Sequence, residues 1–337
     1  MQAEPVFPHA SSAAGMYESF YLRAVSPREP LGVWIRHTVH KSPGRPATGS
    51  VWCTVFDAAV GAPFMHKTTS GLLSAPAGAW IEIGERARMG PAGAQGQCGP
   101  ARWSLGVQAR APELRHLRPG LLYRTPVPRT KLTSPAPLAA FDGVVEVEGR
   151  APIEVAAWPG MVGHNWGAEH AARWIWLHGC DFAGAPDAWL DVALGRVRVG
   201  SRLTPWIANG ALACDGATHA LGGIAAGRPR VHESVAGTEL EIRGHGGLTL
   251  RASVAVPPGT SAGWRYADPG AGAAGTSPGG QAGEHDVANC SIAALELTIS
   301  HRGRGGRRVL RSDHGAAYEL GMRERDHGVP LAPFDDG

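Results

Sequence analysis

The stretch Trp158–Asp181, WPGMVGHNWGAEHAARWIWLHGCD, is the part of the sequence that decides the fold. In its second half, Trp174, Trp176 and His178 stand two residues apart. A period of two places such side chains on one face of a β-strand, and aromatic residues favour strands. The pattern therefore predicts a strand over Arg173–Phe182, with two indoles and an imidazole on one face.

The first half of the stretch predicts a loop. The tripeptide Trp158–Gly160 is Trp-Pro-Gly, and proline and glycine interrupt regular structure. His164, Asn165 and Glu169 are then expected on a loop that enters the strand. No other window of similar length concentrates so many chemically able side chains, so this stretch is also the predicted site.

The flanking sequence follows the same pattern. Leu31–His40 and Val51–Asp57 alternate and together predict a hairpin. The chain has 47 Gly and 27 Pro, scattered rather than periodic, and 11 Trp, which is typical of many short strands joined by tight turns. Residues 1–160 show no sustained apolar period of 3.6, so no long helix is predicted there.

Strand-like segments form two sets of roughly eight to ten, a number that suits two barrels of lipocalin size. We predict an all-β protein of two lipocalin-like (calycin) antiparallel β-barrel domains packed side by side, over residues 16–160 and 161–325. Residues 269–283 are rich in Gly and Ala and have too little apolar surface to offset the entropy of ordering. They are predicted to form a flexible loop, and Met1–Gly15 a loose leader.

Composition excludes several classes of partner. The net charge is +3 without a block of like charges, which argues against nucleic acid. The run Arg302–Arg311 predicts a solvated hairpin. No stretch approaches about 18 uninterrupted apolar residues, so no integral membrane segment is predicted. No signal-peptide pattern opens the chain, and we expect a cytoplasmic protein.

Metal and thiol chemistry are alternatives with little support. The 5 cysteines are odd in number, widely spaced and without CxxC, which argues against a disulfide framework and a structural zinc site. His164, His170 and His178 could ligate zinc, but no HExxH is present and their spacings match no compact motif. Cys180 has His178 and Asp181 nearby, but no orienting third group for a nucleophile. We predict no metal site.

Several blocks of the chain resemble one family. They are YESFYLRA, PLGVWIRHTVH, SVWCTVFD, GHNWGAEHAARWIWLHG, VANCSIAALEL and AAYELG, spread from about Tyr17 to about Gly321. Together they resemble the two-lipocalin-domain superfamily of carotenoid 1,2-hydratases (hydroxyneurosporene synthases), tocopherol cyclases and AttH-like proteins. The resemblance implies two calycin-like barrels with a ligand cavity near their junction. It also implies proton-driven addition or cyclisation on an apolar isoprenoid or polyketide, with no cofactor.

The chain departs from the family pattern at one position. In the hydratase-like members an aromatic–Asp–x–Asn–x–Gly run carries the acid. Asn165 and Gly167 match that run, but Gly163 stands where the Asp is expected, and His164 and Trp166 fill the intervening places. The resemblance therefore does not extend to carotenoid hydration by that route.

The candidate site residues follow from the chemistry. Protonating a double bond needs an acid in a dry pocket, and aromatic faces stabilise the cation that forms. The candidate catalytic residues are His164, Asn165, Glu169, His178 and Asp181. The candidate ligand-binding residues are Trp34, Arg36, Trp52, Trp166, Trp174 and Trp176.

Each assignment has a structural alternative. Tryptophans on strands often form the core, and His164 and Asn165 could satisfy loop backbone groups. Arg36 could lie on a solvated strand face. The sequence therefore leaves two functions open. One is a cofactor-independent cyclase, hydratase or isomerase acting on a terpenoid- or polyketide-type molecule, and the other is a carrier of an apolar ligand.

Overall fold

The computed structural model describes residues 1–337 except 2, 12, 14, 86, 271–282, 304–305 and 335–337. Most of the described chain is β-strand, with short 3-10 helices at Gly120–Tyr123, Ile224–Ala226 and His245–Gly247. The flexible loop predicted over 269–283 falls largely on 271–282, outside the described residues.

The strands of the first half form one sheet. They are β1 (Met16–Val25), β2 (Leu31–Lys41), β3 (Thr48–Asp57), β4 (Phe64–Ser70), β5 (Leu73–Ser74), β6 (Ile81–Ile83), β7 (Ala87–Gly90), β8 (Gly93–Cys98), β9 (Ala101–Ala109), β10 (Leu114–Arg115), β11 (Thr130–Val147) and β12 (Ile153–Gly167). Their order is β4-β3-β2-β1-β12-β11-β9-β8-β7-β6-β5, and β10 pairs with β11. Because only residues 71–72 separate β4 from β5, the two edges of this sheet lie together.

The second half repeats this design. Its strands are β13 (Arg173–Gly179), β14 (Trp189–Arg196), β15 (Arg198–Val199), β16 (Arg202–Leu203), β17 (Ile207–Cys214), β18 (Ala217–Gly222), β19 (Arg230–Ser234), β20 (Gly237–Arg243), β21 (Leu248–Ala255), β22 (Ala262–Ala267), β23 (Glu284–His301) and β24 (Arg308–Met322). The order is β18-β17-β14-β13-β24-β23-β21-β20-β19, with β22 on β23 and a separate ribbon of β15 and β16. The predicted all-β fold of two lipocalin-like antiparallel barrels is confirmed.

The chain passes from one sheet to the other between β12 and β13. The pairing of β12 with β1 continues to Gly167, opposite Tyr17, so the crossing segment is 168–172. The sequence-based division at 160/161 falls inside β12. That the two sheets are separate domains remains a prediction.

The prediction of a loop before β13 holds for Glu169, on the crossing segment, and is wrong for the residues before it. Trp158–Gly160, His164 and Asn165 all lie within β12. Gly160 is needed there for close backbone approach, since a Cβ would lie 2.0 Å from the carbonyl oxygen of Arg23 on β1. The glycine that suggested a turn is therefore what lets two strands pass closely.

The apolar core has two large parts. One fills the first barrel and includes Phe20, Trp80 and Trp103. The other fills the second barrel and continues across the junction to Trp34 and Trp52 of the first sheet. The two sheets therefore share buried surface, and the residues at that junction position the candidate site.

Candidate functional site

Alternation along β1 separates two environments. Phe20 faces the first barrel, whereas Tyr21 and Arg23 face the second sheet. On the opposite side of the junction, Trp176 of β13 meets the Tyr21 ring edge-on, with ring centroids 5.4 Å apart. The side chains that lie between the two sheets around this contact form the junction cluster: Tyr17, Tyr21, Arg36, His170, Trp174, Trp176, Asp191, Tyr266, Asp268, His285, Asn289 and Glu319.

His164, the first predicted catalytic residue, points into the first barrel and away from the junction. Its ring stacks on Phe20 at 4.2 Å and on Trp166 at 4.5 Å. Its Nε2–H donates to Glu18 Oε1 at 2.7 Å, and the Glu18 carboxylate also accepts the backbone N–H of Phe7 at 2.6 Å. His164 and Trp166 thus belong to a buried network that holds the N-terminal segment on the barrel.

Asn165 is the neighbour of His164 and faces the other way, towards the junction. Its Oδ1 is buried and has no hydrogen-bond partner among the described residues. A buried carbonyl oxygen without a donor is costly, so a ligand or water at this position would be stabilised by Asn165. Asn165 remains a candidate for ligand contact.

His178 lies on the junction face of β13, as the alternation predicts, but its ring bridges the two sheets. Nδ1 accepts from Arg23 Nη1 at 2.9 Å, so Nε2 carries the proton and donates to the Pro137 carbonyl at 2.9 Å. Burial, and secondarily Arg23, lowers the pKa of His178 to about 4. A neutral imidazole with both nitrogens occupied is a structural link between the sheets.

Glu169 and Asp181 lie outside the junction cluster. Glu169, on the crossing segment, forms an ion pair with Arg129 at the surface. Asp181 follows β13 in a left-handed conformation, with φ of 57°. Burial raises the pKa of Asp181, and His314 and Arg23 act against that rise. The structure therefore does not bring the predicted catalytic residues together.

The predicted ligand-binding residues are better grouped. Trp34 and Trp52 pack on Trp264 of the second sheet, with ring centroids 6.4 Å and 4.9 Å apart. Arg36 donates to Ser19 Oγ at 2.8 Å, and its guanidinium lies 4.2 Å from the Tyr266 ring. Trp174 and Trp176 also face the junction, whereas Trp166 does not.

Asp191 is a buried carboxylate of the junction that the sequence analysis missed. It accepts Ser134 Oγ at 2.5 Å and Trp176 Nε1 at 3.1 Å, and His116 Nε2 lies 3.2 Å from Oδ1. Burial alone would raise the pKa of Asp191, but His116, His178 and the Ser134 hydroxyl outweigh it, so its pKa is lowered. The sequence signal was a lone acid in the apolar strand β14.

Glu319 is the second missed carboxylate. Trp174 Nε1 donates to Oε1 at 2.9 Å, while Asn289 Nδ2 and the Tyr266 hydroxyl donate to Oε2 at 3.0 Å and 3.4 Å. All these donors are neutral, and Glu319 is 9% exposed. Its only sequence signal was its place in the block AAYELG.

His170, which the sequence analysis named only as a possible zinc ligand, is paired with Asp268, which it missed. Asp268 Oδ1 accepts both the backbone N–H of His170, at 2.7 Å, and its ring Nδ1–H, at 2.8 Å. The imidazole lies between Tyr17, with ring centroids 4.1 Å apart, and Trp174, at 5.5 Å. His285 Nε2 lies 3.5 Å from the other oxygen of Asp268.

Gly163, where the family pattern places an acid, is filled by a neighbour. A Cβ at Gly163 would lie 2.2 Å from Cζ of Tyr21 and 2.5 Å from its hydroxyl oxygen. Burial, and then Asp191 and Glu319, raises the pKa of Tyr21 well above its usual value. A protonated phenol therefore occupies the space that a side chain at position 163 would take.

Two open clefts on the surface of the described chain lie elsewhere. One, of about 420 Å³, lies beside Cys214, His219 and His301, and the other, of about 340 Å³, beside Leu114 and Trp189. Neither is lined by a junction-cluster residue. The junction is the candidate site because buried ionisable groups, and not an open cavity, are concentrated there.

Two further searches concern metals and membranes. Within the described residues, no group of three or more His, Cys, Asp or Glu side chains is arranged to hold a metal ion. The helices of the described chain are all too short or too polar to cross a membrane.

Sequence comparison gives limited information. No family model matches the chain. Two Mycobacterium tuberculosis proteins, the uncharacterised proteins MT0513 and Rv0493c, are each 30% identical to it over 174 residues, which is 51% of this chain and 51% of theirs. The chain thus spans about half the length of the curated relatives it matches.

Structure comparison defines the fold. The crystal structure of CghA with Sch210972 matches with a TM-score of 0.63 at 12% identity, covering 96% of this chain and 94% of that one. The AttH candidate NE1406 of Nitrosomonas europaea matches with a TM-score of 0.50 at 13% identity, covering 91% and 92%. The protein therefore shares the two-barrel fold of CghA and of this AttH candidate.

Proposed function

We propose that the protein binds an apolar small molecule of terpenoid or polyketide type at the junction of its two barrels and converts it by acid–base chemistry. The reaction would be a cyclisation, hydration or isomerisation. One observation carries the proposal. Trp174 and Trp176, on one face of β13, each donate an indole N–H to a buried carboxylate, Glu319 and Asp191 respectively.

The arrangement suits proton transfer on an apolar substrate. Trp176 and the facing Tyr21 offer an aromatic wall, whose quadrupole stabilises positive charge. Asp191, ionised because its pKa is lowered, is a proton acceptor in a dry place. The protonated hydroxyl of Tyr21 can donate a hydrogen bond to a substrate oxygen.

CghA, crystallised with Sch210972, supports a small-molecule role for this fold. At 12% identity it supports neither the same ligand nor the same reaction, because one fold hosts many functions. The substrate class therefore rests on the aromatic lining of the junction and on the resemblance of the sequence blocks.

A second candidate function is carriage of an apolar ligand without conversion. It is favoured by the pairing within the junction: Asp191 contacts Ser134, Trp176 and His116, and Glu319 is equally well satisfied. Such a satisfied network is also what a rigid, uniquely packed core requires. The two functions differ only in whether bound ligand changes.

The experiment uses β-ionone, an apolar terpenoid ketone, as the binding probe. We expect saturable quenching of tryptophan fluorescence, weakened by Trp174→Phe and Trp176→Phe but not by Trp103→Phe, which lies in the first barrel. Conversion of a panel of terpenoids and polyketides is then followed by mass spectrometry.

Asp191→Asn and Glu319→Gln separate enzyme from carrier. Each keeps the shape of the side chain, so β-ionone binding should persist while conversion falls by about 100-fold or more. The control is Glu296→Gln, an exposed partner of Arg311 on the outside of the second barrel. Binding without any conversion would identify a carrier, and absence of saturable quenching would contradict the proposal.

A further inference from the structure

The pair His170 and Asp268 has the geometry of a general base and its orienting acid. Asp268 fixes the ring through the Nδ1–H, at 2.8 Å, and holds the backbone of the same residue at 2.7 Å. This leaves Nε2 with the lone pair. Nε2 is buried and has no hydrogen-bond partner among the described residues. A carboxylate that holds the tautomer while the distal nitrogen takes a proton is the arrangement of hydrolase triads.

Two stacked aromatic rings hold this imidazole in its orientation. Tyr17 stacks on it with an interplanar angle of 11°, and Trp174 lies on its other side at 24°. Trp174 shares a face of β13 with Trp176, so the base lies near the aromatic wall of Trp176 and Tyr21. A rotation of the ring would break the contact with Asp268 and both stacking contacts.

Burial and the neighbouring charges set the protonation state of the pair. Burial lowers the pKa of His170, Asp268 acts against it, and His285 and Arg36 add to the lowering. The pKa of Asp268 lies far below its usual range because His170 and His285 outweigh the effect of burial. At neutral pH the site therefore presents a neutral imidazole and an anionic carboxylate, which are a base and not an acid.

We infer that His170 is a general base of the junction site in addition to Asp191. We also infer that Asp268 positions His170, and that the substrate is an apolar molecule with a carbon–hydrogen bond next to a carbonyl group. The inference rests on the proposed function and narrows it. An imidazole is too weak a base for an unactivated carbon–hydrogen bond, so the carbonyl is required. The positive charge of Arg36, stacked on Tyr266 at 4.2 Å, and the hydroxyl of Tyr21 suit the developing enolate oxygen.

The step is balanced without an oxidant or reductant. His170 Nε2 takes a proton from the carbon next to the carbonyl. The electron pair of that bond forms a carbon–carbon double bond, and the carbonyl π pair moves to oxygen. The imidazolium then returns the proton, the enolate electrons re-form the carbonyl, and the base is restored. Return to the same carbon gives only hydrogen exchange, and return to a conjugated carbon isomerises the ketone.

The test is deuterium exchange into β-ionone, whose carbonyl activates neighbouring hydrogens. The probe is incubated with the full chain in D₂O, and deuterium next to the carbonyl is followed by NMR. We expect the wild type to accelerate exchange over buffer. His170→Gln should lower the rate by about 100-fold or more, with β-ionone binding within a few fold of wild type. The matched control is His219→Gln, beside the 420 Å³ surface cleft.

Asp268→Asn tests the positioning role. Removal of the anion lowers the pKa of His170 further, so the acid limb of the exchange-rate profile should move to lower pH while the rate falls. A merely structural role for Asp268 would lower the rate without moving the limb, and would overturn that part of the inference.

The outcomes separate the two proposals. If β-ionone binds and the wild type does not accelerate exchange, or if His170→Gln exchanges as fast as wild type, the base assignment is overturned and the binding proposal stands. If β-ionone does not bind, the proposed function fails and the inference fails with it. If His170→Gln does not fold, the tautomer is read instead from the imidazole ¹⁵N shifts of the wild type. A proton on Nε2 would overturn the inference.

Discussion

His37 is a fully buried imidazole inside the first barrel. Both ring nitrogens lack a partner among the described residues, and the ring meets Trp103 edge-on at 6.4 Å. Burial lowers the pKa of His37 from 6.5 to about 3. Because the folded pKa lies below the unfolded one, the unfolded chain binds the proton first as the pH falls. Stability is therefore full above pH 6.5 and is lost down to about pH 3, at about 1.4 kcal/mol per pH unit.

We predict that His37→Phe flattens this acid dependence. At pH 7 the variant should be at least as stable as wild type, because two unpaired polar atoms leave the core, each a penalty of about 1–3 kcal/mol. Urea unfolding at a series of pH values provides the measurement. The control is Trp103→Phe, which removes a neighbour without a titrating group and should lower stability equally at every pH. An unchanged slope in His37→Phe would show that His37 is not the titrating group.

At the scale of single residues, the sequence predicted which side chains share a strand face better than it predicted their hydrogen-bond partners. The alternation of Trp174, Trp176 and His178 identified the junction face of β13. The carboxylates that those indoles bind, Glu319 and Asp191, come from neighbouring strands. A local sequence pattern does not show which strands pair with each other. For the same reason the sequence did not show that His164 faces the barrel interior, since one step along β12 separates the interior from the junction.

The strand β12 packs closely against its neighbours. It pairs along its length with β1 and β11, and Gly163 lets the Tyr21 ring lie against its backbone. We predict that Gly163→Ala lowers the free energy of unfolding by about 1–3 kcal/mol, because the new methyl overlaps the ring. The loss should be smaller in a Tyr21→Ala background, which removes the obstacle.

The double-mutant cycle in urea measures this coupling. Gly71→Ala is the matched control, since nothing lies within 4 Å of the position of its Cβ. Equal losses from Gly163→Ala with and without Tyr21 would mean that the ring does not fill the space at position 163, and the explanation of the missing acid would be withdrawn.

The strength of the local pattern decided which elements the sequence revealed. The strands around Leu31–His40 and Val51–Asp57 were predicted almost to their ends, because both alternate without interruption. The segment 127–138 contains three prolines, which oppose a regular strand, yet β11 includes it from Thr130 onwards. Its register shifts between Thr133 and Ala136 and again before Ala139, so Pro135 and Pro137 sit at bulges, where a missing N–H is tolerated.

At the scale of the whole molecule, the sequence indicated two barrels but not how they join. Strand number and turn composition give the architecture, since each barrel is built from neighbours in the chain. The joint depends on pairs far apart in sequence, such as Trp52 on Trp264 and Arg23 on His178. Those contacts have no local signature, so the site formed between the barrels was only partly predictable.

Arg23 links the two sheets of the molecule. From β1 of the first sheet it donates to three nitrogen and oxygen acceptors of the second: His178 Nδ1 at 2.9 Å, the Gly315 carbonyl at 3.0 Å and the Ser291 carbonyl at 2.9 Å. It also contacts Cys180 Sγ at 3.7 Å. It is fully buried, and burial lowers its pKa, with Cys180 acting against that effect. Since the second core also continues into Trp34 and Trp52, we expect the wild type to unfold in one calorimetric transition.

Arg23→Met should weaken this coupling between the barrels. It removes the donor from three buried acceptors, of which the Gly315 carbonyl still accepts the backbone N–H of Cys180. We predict a loss of about 3–5 kcal/mol and a transition that broadens or splits. Arg23→Lys should recover part of the loss, because an ammonium still donates but does not match the planar fork. The control is Arg251→Met at an exposed ion pair with Glu241, expected to change stability by less than about 1 kcal/mol. If Arg23→Met unfolded in one transition at the wild-type temperature, the barrels would be held together by their apolar contacts alone, and Arg23 would have no part in setting the geometry of the junction.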